Sequence, residues 1–153
     1  MKKIVAITIL FASSLASAQL IGKTTSTLTT NFCKKYLCKE VEANNNVYLD
    51  IRRVNLTKKN AYIMLMRSEK KLVNAYLYFL GEFESPDGLA FANEFIYEFA
   101  GIFIKTENLK ACFRRAYKDL PENTVATLMQ PNGTRLQVSC VKQFGEPLAV
   151  LVY

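Results

Sequence analysis

The chain has 153 residues, half of them hydrophobic, with 20 Lys and Arg against 13 Asp and Glu, a formal charge of +7, and no histidine or tryptophan. Without histidine, Ser–His and Cys–His nucleophile pairs and imidazole metal sites are excluded. The mild basic excess favours anionic partners through long-range attraction and singles out none.

Met1-Lys2-Lys3 is a short positive stretch, Ile4 to Leu15 is mostly apolar and uncharged, and Ala16-Ser17-Ala18 is the small-x-small pattern that a signal peptidase cuts. Residues 1–18 therefore read as a secretory signal peptide, cleaved before Gln19, of a secreted or periplasmic protein. A membrane anchor would need roughly 20 apolar residues, more than Ile4 to Leu15 supplies. No later stretch is long and apolar enough to span a bilayer. Removal of residues 1–18 leaves 135 of the 153 and takes Lys2 and Lys3 with it, lowering the charge from +7 to +5. That length suits one domain. Its expected limits are 30–153, behind a flexible Thr-rich lead-in at 19–29.

Cys33, Cys38, Cys112 and Cys140 all lie in the mature chain. An even count in an oxidising compartment points to two disulfides. A zinc site lacks its close cysteine pairs and any histidine. A redox role lacks the C-x-x-C spacing.

In chain order, Phe32, Cys33, Tyr36, Leu37 and Val41 recur at helical spacing and predict a helix over 30–42, ended by Asn44-Asn45-Asn46. Three strand-like runs follow: Val47–Val54, Ala61–Arg67 and Lys71–Leu80. Short polar connections join them, as in an antiparallel meander. Ser85-Pro86-Asp87 is a helix start: a capping hydroxyl, a preorganised first turn and a carboxylate at the positive end. Leu89, Ala92, Phe95, Ile96, Phe99 and Phe103 form its stripe. A further helix starts near Thr106, with Leu109, Cys112, Phe113, Ala116, Tyr117 and Leu120 on one side and Pro121 after its end. Thr124–Met129 and Thr134–Val141 flank Gln130-Pro131-Asn132-Gly133, an Asn-Gly hairpin signal. Leu148–Tyr153 is a last short strand.

The fold class is α+β, an antiparallel sheet with helices packed on it, in the order α-βββ-αα-βββ. This order is similar to that of small bacterial α+β folds such as the secretion-chaperone-like group. The likeness is one of element order, without a shared residue motif, and no function follows from it. Cys112 lies on the apolar stripe of its helix, and Cys140 shares a strand face with Leu136 and Val138. Both point into the layer between helix and sheet, which predicts Cys112–Cys140 and leaves Cys33–Cys38.

Four features are candidates for function. The meander face away from the Val/Leu/Phe side is expected to gather Tyr48, Arg52, Tyr62, Tyr76 and Tyr78, with Met64, Met66 and Asn74. Tyrosines suit a surface that is sometimes covered. Such a face is either a contact surface for a protein partner or second copy, or a small second core under the 30–42 helix. Lys110, Arg114, Arg115 and Lys118 form a basic face opposite the acidic outside of the preceding helix. The two faces either simply attract each other or bind a polyanion, nucleic acid or anionic glycan. Glu94 and Glu98 stand four apart, a spacing open to acid–base work or cation binding, in a domain with little room for a cleft. Asn55-Leu56-Thr57 and Asn132-Gly133-Thr134 match glycan acceptors.

No catalytic set, metal set or cofactor motif stands out. The leading expectation is a non-enzymatic exported binding or interaction protein. A small secreted hydrolase or enzyme inhibitor, and a polyanion-binding protein using Lys110, Arg114, Arg115 and Lys118, are the alternatives. Mass spectrometry of protein recovered from the envelope or medium of its host is expected to find Gln19 at the N-terminus; an intact Met1 there would refute the signal peptide.

Overall fold

Thr30 opens the first helix: its hydroxyl accepts the Cys33 backbone N–H at 3.1 Å, satisfying one of the donors a helix start leaves free. The computed structural model describes residues 19–45, 49–79, 84–121, 124–129, 136–142 and 148–153. This first helix, α1, is Asn31–Tyr36. It stops at Leu37, whose φ of 53° is left-handed, and the chain turns directly into strand β1, Cys38–Asn45. The helix expected over 30–42 is thus a helix followed by a strand. Pairing decides it: β1 aligns antiparallel with β2, Asp50–Leu56, from Cys38↔Leu56 to Asn45↔Asp50. The turn after β2 then completes the helix end. Thr57 donates its N–H and its hydroxyl to the Leu37 carbonyl, and the Lys58 N–H donates to that of Tyr36. Cys33 and Cys38 are joined by a disulfide across the break.

β2 continues into β3, Ala61–Ser68, and β4, Lys71–Phe79. Glu69 and Lys70 make the β3–β4 turn, both at positive φ, the conformation whose twist matches a two-residue hairpin. After the helices come β5, Val125–Met129, β6, Val138–Lys142, and β7, Leu148–Val152. The Asn-Gly turn lies outside the described residues. β7 pairs with β4, which merges the two meanders into one seven-stranded antiparallel sheet, β1-β2-β3-β4-β7-β6-β5.

Ser85 caps α2, Pro86–Ala100, by accepting the Gly88 N–H at 3.0 Å. Leu89, Ala92, Phe95, Ile96 and Phe99 are buried as their spacing predicts. Phe103 is not: it is 67% exposed, because the helix ends at Gly101 in a left-handed cap at φ 74°. Ile104 is buried instead. Its N–H donates to the Asn93 side chain, which donates back to the Ile104 carbonyl. Helix α3, Thr106–Arg114, runs on as a π turn over Arg115–Asp119. The wider turn rotates Tyr117 off the apolar stripe to 45% exposure. Leu109, Cys112, Phe113 and Ala116 stay buried.

All three described helices pack on one face of the sheet, in one cluster with Val54, Ile63, Leu65, Leu77, Val138 and Cys140. The Thr-rich lead-in is tied to the same body: Gly22 donates to the Leu72 carbonyl, Leu72 to that of Lys23, and Leu20 to that of Phe99. The class is α+β, with one strand more than expected before α2. No described helix is long and apolar enough to cross a membrane.

Cys112 of α3 and Cys140 of β6 are disulfide-bonded, pinning α3 to the sheet as the layering requires. Replacing both with serine is expected to lower stability by about 2–4 kcal/mol, as for a loop of this length. Denaturant unfolding of the variant checks it; an unchanged midpoint would show that apolar packing alone holds α3.

Candidate functional site

Strand alternation puts Ala75 and Leu77 of β4 under the helices and therefore turns Asn74, Tyr76 and Tyr78 the other way. On β3 the same rule turns out Tyr62, Met64 and Met66. Antiparallel register then sets Tyr62 opposite Tyr78, Met64 opposite Tyr76 and Met66 opposite Asn74. The Tyr62 and Tyr78 rings stack at 4.7 Å, and Tyr76 lies 6.0 Å from Tyr78 and nearly parallel to it. The Arg53 guanidinium lies over Tyr62 at 4.3 Å. Tyr78, 2% exposed, forms a small second cluster with Val141, against which half-buried Tyr62, Met64 and Tyr76 pack. Burial pushes the Tyr78 hydroxyl far above its ordinary value, and that of Tyr76 upward as well.

Tyr62, Tyr76 and Tyr78 thus share one face as expected. Tyr48 lies outside the described residues. Arg52 does not belong to this face. Its register partner is Leu65, a residue under the helices, and it donates from Nε to Asp50 at 2.8 Å and from Nη1 to Glu40 at 3.1 Å. Both carboxylates raise its already high pKa, Asp50 more than Glu40. The expected alternation had Val47, Leu49 and Ile51 facing inward. Val54 and Leu56 are the buried pair on β2, and they share Arg52's parity. The tyrosine face therefore receives Arg53, and the parity of Val54 and Leu56 was the signal for it.

Helix α1 does not cover this face. Phe32 packs among Phe91, Phe95 and Phe99, and Tyr36 against Phe91, on the opposite side of the sheet. A second small core exists, then, but the N-terminal helix is not its cap.

The basic helix face is partly compensated. Arg114 donates to Glu84 at 2.7 Å from Nη2 and 3.1 Å from Nε, and holds that carboxyl below its usual range, with Lys110 and Lys118 adding to the effect. Arg115 and Lys118 are exposed and Lys110 is half-buried. Glu94 and Glu98 both face α1 and are engaged there by different groups. Glu94 accepts from Lys35 at 2.6 Å and from the Tyr36 hydroxyl at 2.8 Å, clamping α1 on α2. Glu98, half-buried against the same helix, is pushed above the ordinary carboxyl range by burial, opposed by a hydrogen bond from the Phe32 N–H. Among the described residues no group of three carboxylates or thiols is placed to hold a metal ion. All four cysteines are in disulfides. Comparison with protein-family models, curated proteins and solved structures finds no match to this chain.

Because the folded pKa of Glu98 lies above its unfolded value, the native state keeps a proton that the unfolded chain has already lost. Stability therefore falls as pH rises through that interval, and the deficit persists at neutral pH. Glu98→Gln is expected to raise the melting temperature at pH 7 and to change it little below about pH 4, where both states are protonated. Melts at the two pH values check this; a loss of stability at pH 7 would show that the Phe32 hydrogen bond outweighs burial.

Proposed function

We propose that the protein is exported and acts without catalysis, as a binding protein whose contact surface is the tyrosine face, Tyr62, Tyr76 and Tyr78 with Arg53. The observation that carries the reading is the stacked row of tyrosines on the side of the sheet opposite all three described helices. Tyrosine, methionine and arginine are the residues enriched at the buried centre of protein interfaces. A ring held by its neighbours also loses little entropy on binding. Half-buried Tyr62, Met64 and Tyr76 offer the apolar surface, and Tyr78 beneath them supplies rigidity. The occupant is a protein partner or a second copy of this chain. The two disulfides fit an oxidising compartment, secreted or periplasmic. The ion pair of Arg114 with Glu84 weighs against Lys110, Arg114, Arg115 and Lys118 as the principal surface.

Tyr62→Ser with Tyr76→Ser is expected to abolish association, read by sedimentation for self-assembly and by capture from the native host for a partner, with little change in melting temperature. Tyr78→Ser, at the buried position, is expected to cost about 3 kcal/mol of stability, in the range for deleting a buried aromatic. If the double variant loses stability as severely while association is unchanged, the face is a core and the reading fails.

A further inference from the structure

Some of the described cations are held by carboxylates and others by aromatic rings. Lys35, Arg52 and Arg114 are held by carboxylates and largely neutralised. Arg53 and Lys59 are held by rings: Arg53 lies 4.3 Å from the Tyr62 centroid and Lys59 Nζ 5.6 Å from that of Phe91. An aromatic ring positions a cation without cancelling its charge. Arg53 and Lys59 open, together with exposed Lys39, onto one groove of about 450 Å³ at the β1–β2 end of the sheet. Asn55, Thr57, Asn60 and Tyr62 add polar lining, and no acidic residue lines it among the described residues. Glu42, the register partner of Arg53 beyond the bulge in β1, makes no ion pair with it among the described residues. Lys39 and Asn55 are register partners, and Arg53 lies two residues from Asn55 along β2, or about 7 Å at the rise of a strand.

We infer that this groove is a binding site for an acidic polysaccharide, a sugar chain carrying sulfate or carboxylate groups. Lys39, Arg53 and Lys59, which make no ion pair among the described residues, supply the attraction for the anionic groups. Amide and hydroxyl side chains between them supply donors and acceptors for sugar hydroxyls. Single-stranded nucleic acid fits less well, because it is held by stacking bases on open aromatic faces. The ring at this groove, Tyr62, lies between Arg53 of β2 and Tyr78 of β4, so both of its faces are taken. The groove adjoins the protein-contact surface proposed above and shares Arg53 and Tyr62 with it, but its reading rests on the groove's own cations and not on that surface.

The test is titration of the purified full-length mature protein with a heparin-type sulfated oligosaccharide, and with oligothymidylate of equal charge, at several salt concentrations. Binding of the sulfated chain is expected, weakening with salt and exceeding that of the oligothymidylate. The variant Lys39→Gln/Arg53→Gln/Lys59→Gln is expected to bind at least about tenfold less tightly, the combined loss of three partly exposed ion contacts. Lys110→Gln/Arg115→Gln/Lys118→Gln, with the same change in net charge, is expected to bind as the parent does. Lys39→Glu, at an exposed position, gives a weakened affinity without disturbing either ring contact. No binding by the parent, equal losses in the two triple variants, unchanged affinity in Lys39→Glu, or tighter binding of the oligothymidylate would each overturn the assignment.

Discussion

The burial of the α2 phenylalanines is the constraint from which the rest of the arrangement follows. Phe95 and Phe99 are fully inaccessible, and Phe32 of α1 reaches both, with ring centroids at 6.0 and 6.4 Å. That layer needs an apolar sheet face beneath it, which Ile63, Leu65, Ala75 and Leu77 provide. Because strand side chains alternate with a period of two, choosing one face for the helices fixes the other. The tyrosines of β3 and β4 are brought together by default, as the complement of the positions the phenylalanines claim.

Polar contacts refine this packing. Lys35 and Tyr36 converge on Glu94, and Arg114 on Glu84, yet exposed ion pairs of this kind contribute little individually. Their role is orientation: they settle how α1 lies against α2 and how the start of α2 meets α3. The cation–π contacts differ in consequence. Arg53 and Lys59 are ordered by rings and keep their charge, so order and electrostatic availability coexist at one corner of the sheet.

The disulfides join elements in two different ways. Cys112–Cys140 links two apolar stripes that would meet in any case. Cys33–Cys38 closes a short loop at the point where helix gives way to strand, and it can form only because the helix stops at Leu37. The left-handed Leu37, the hydrogen bonds from Thr57 and Lys58 and the pairing of β1 with β2 are therefore one cooperative feature.

Local patterns determined the α+β class, the alternation of β4, the start of α2 at Ser85-Pro86-Asp87 and the layer shared by Cys112 and Cys140. In each case the residues seeking burial or capping lie within one element, and the period of that element reveals them. Tertiary structure alone decided where α1 ends, since Val41 continues a helical spacing that only pairing with β2 overrides. It also decided that Phe103 leaves the stripe beyond Gly101, that a π turn rotates Tyr117 outward, and that Arg53 rather than Arg52 joins the tyrosines. An apolar run such as Val47, Leu49 and Ile51 shows that a strand has two sides. Which side is inward depends on the partner strands and on the helix layer they must bury, and those contacts are made between segments far apart in the chain.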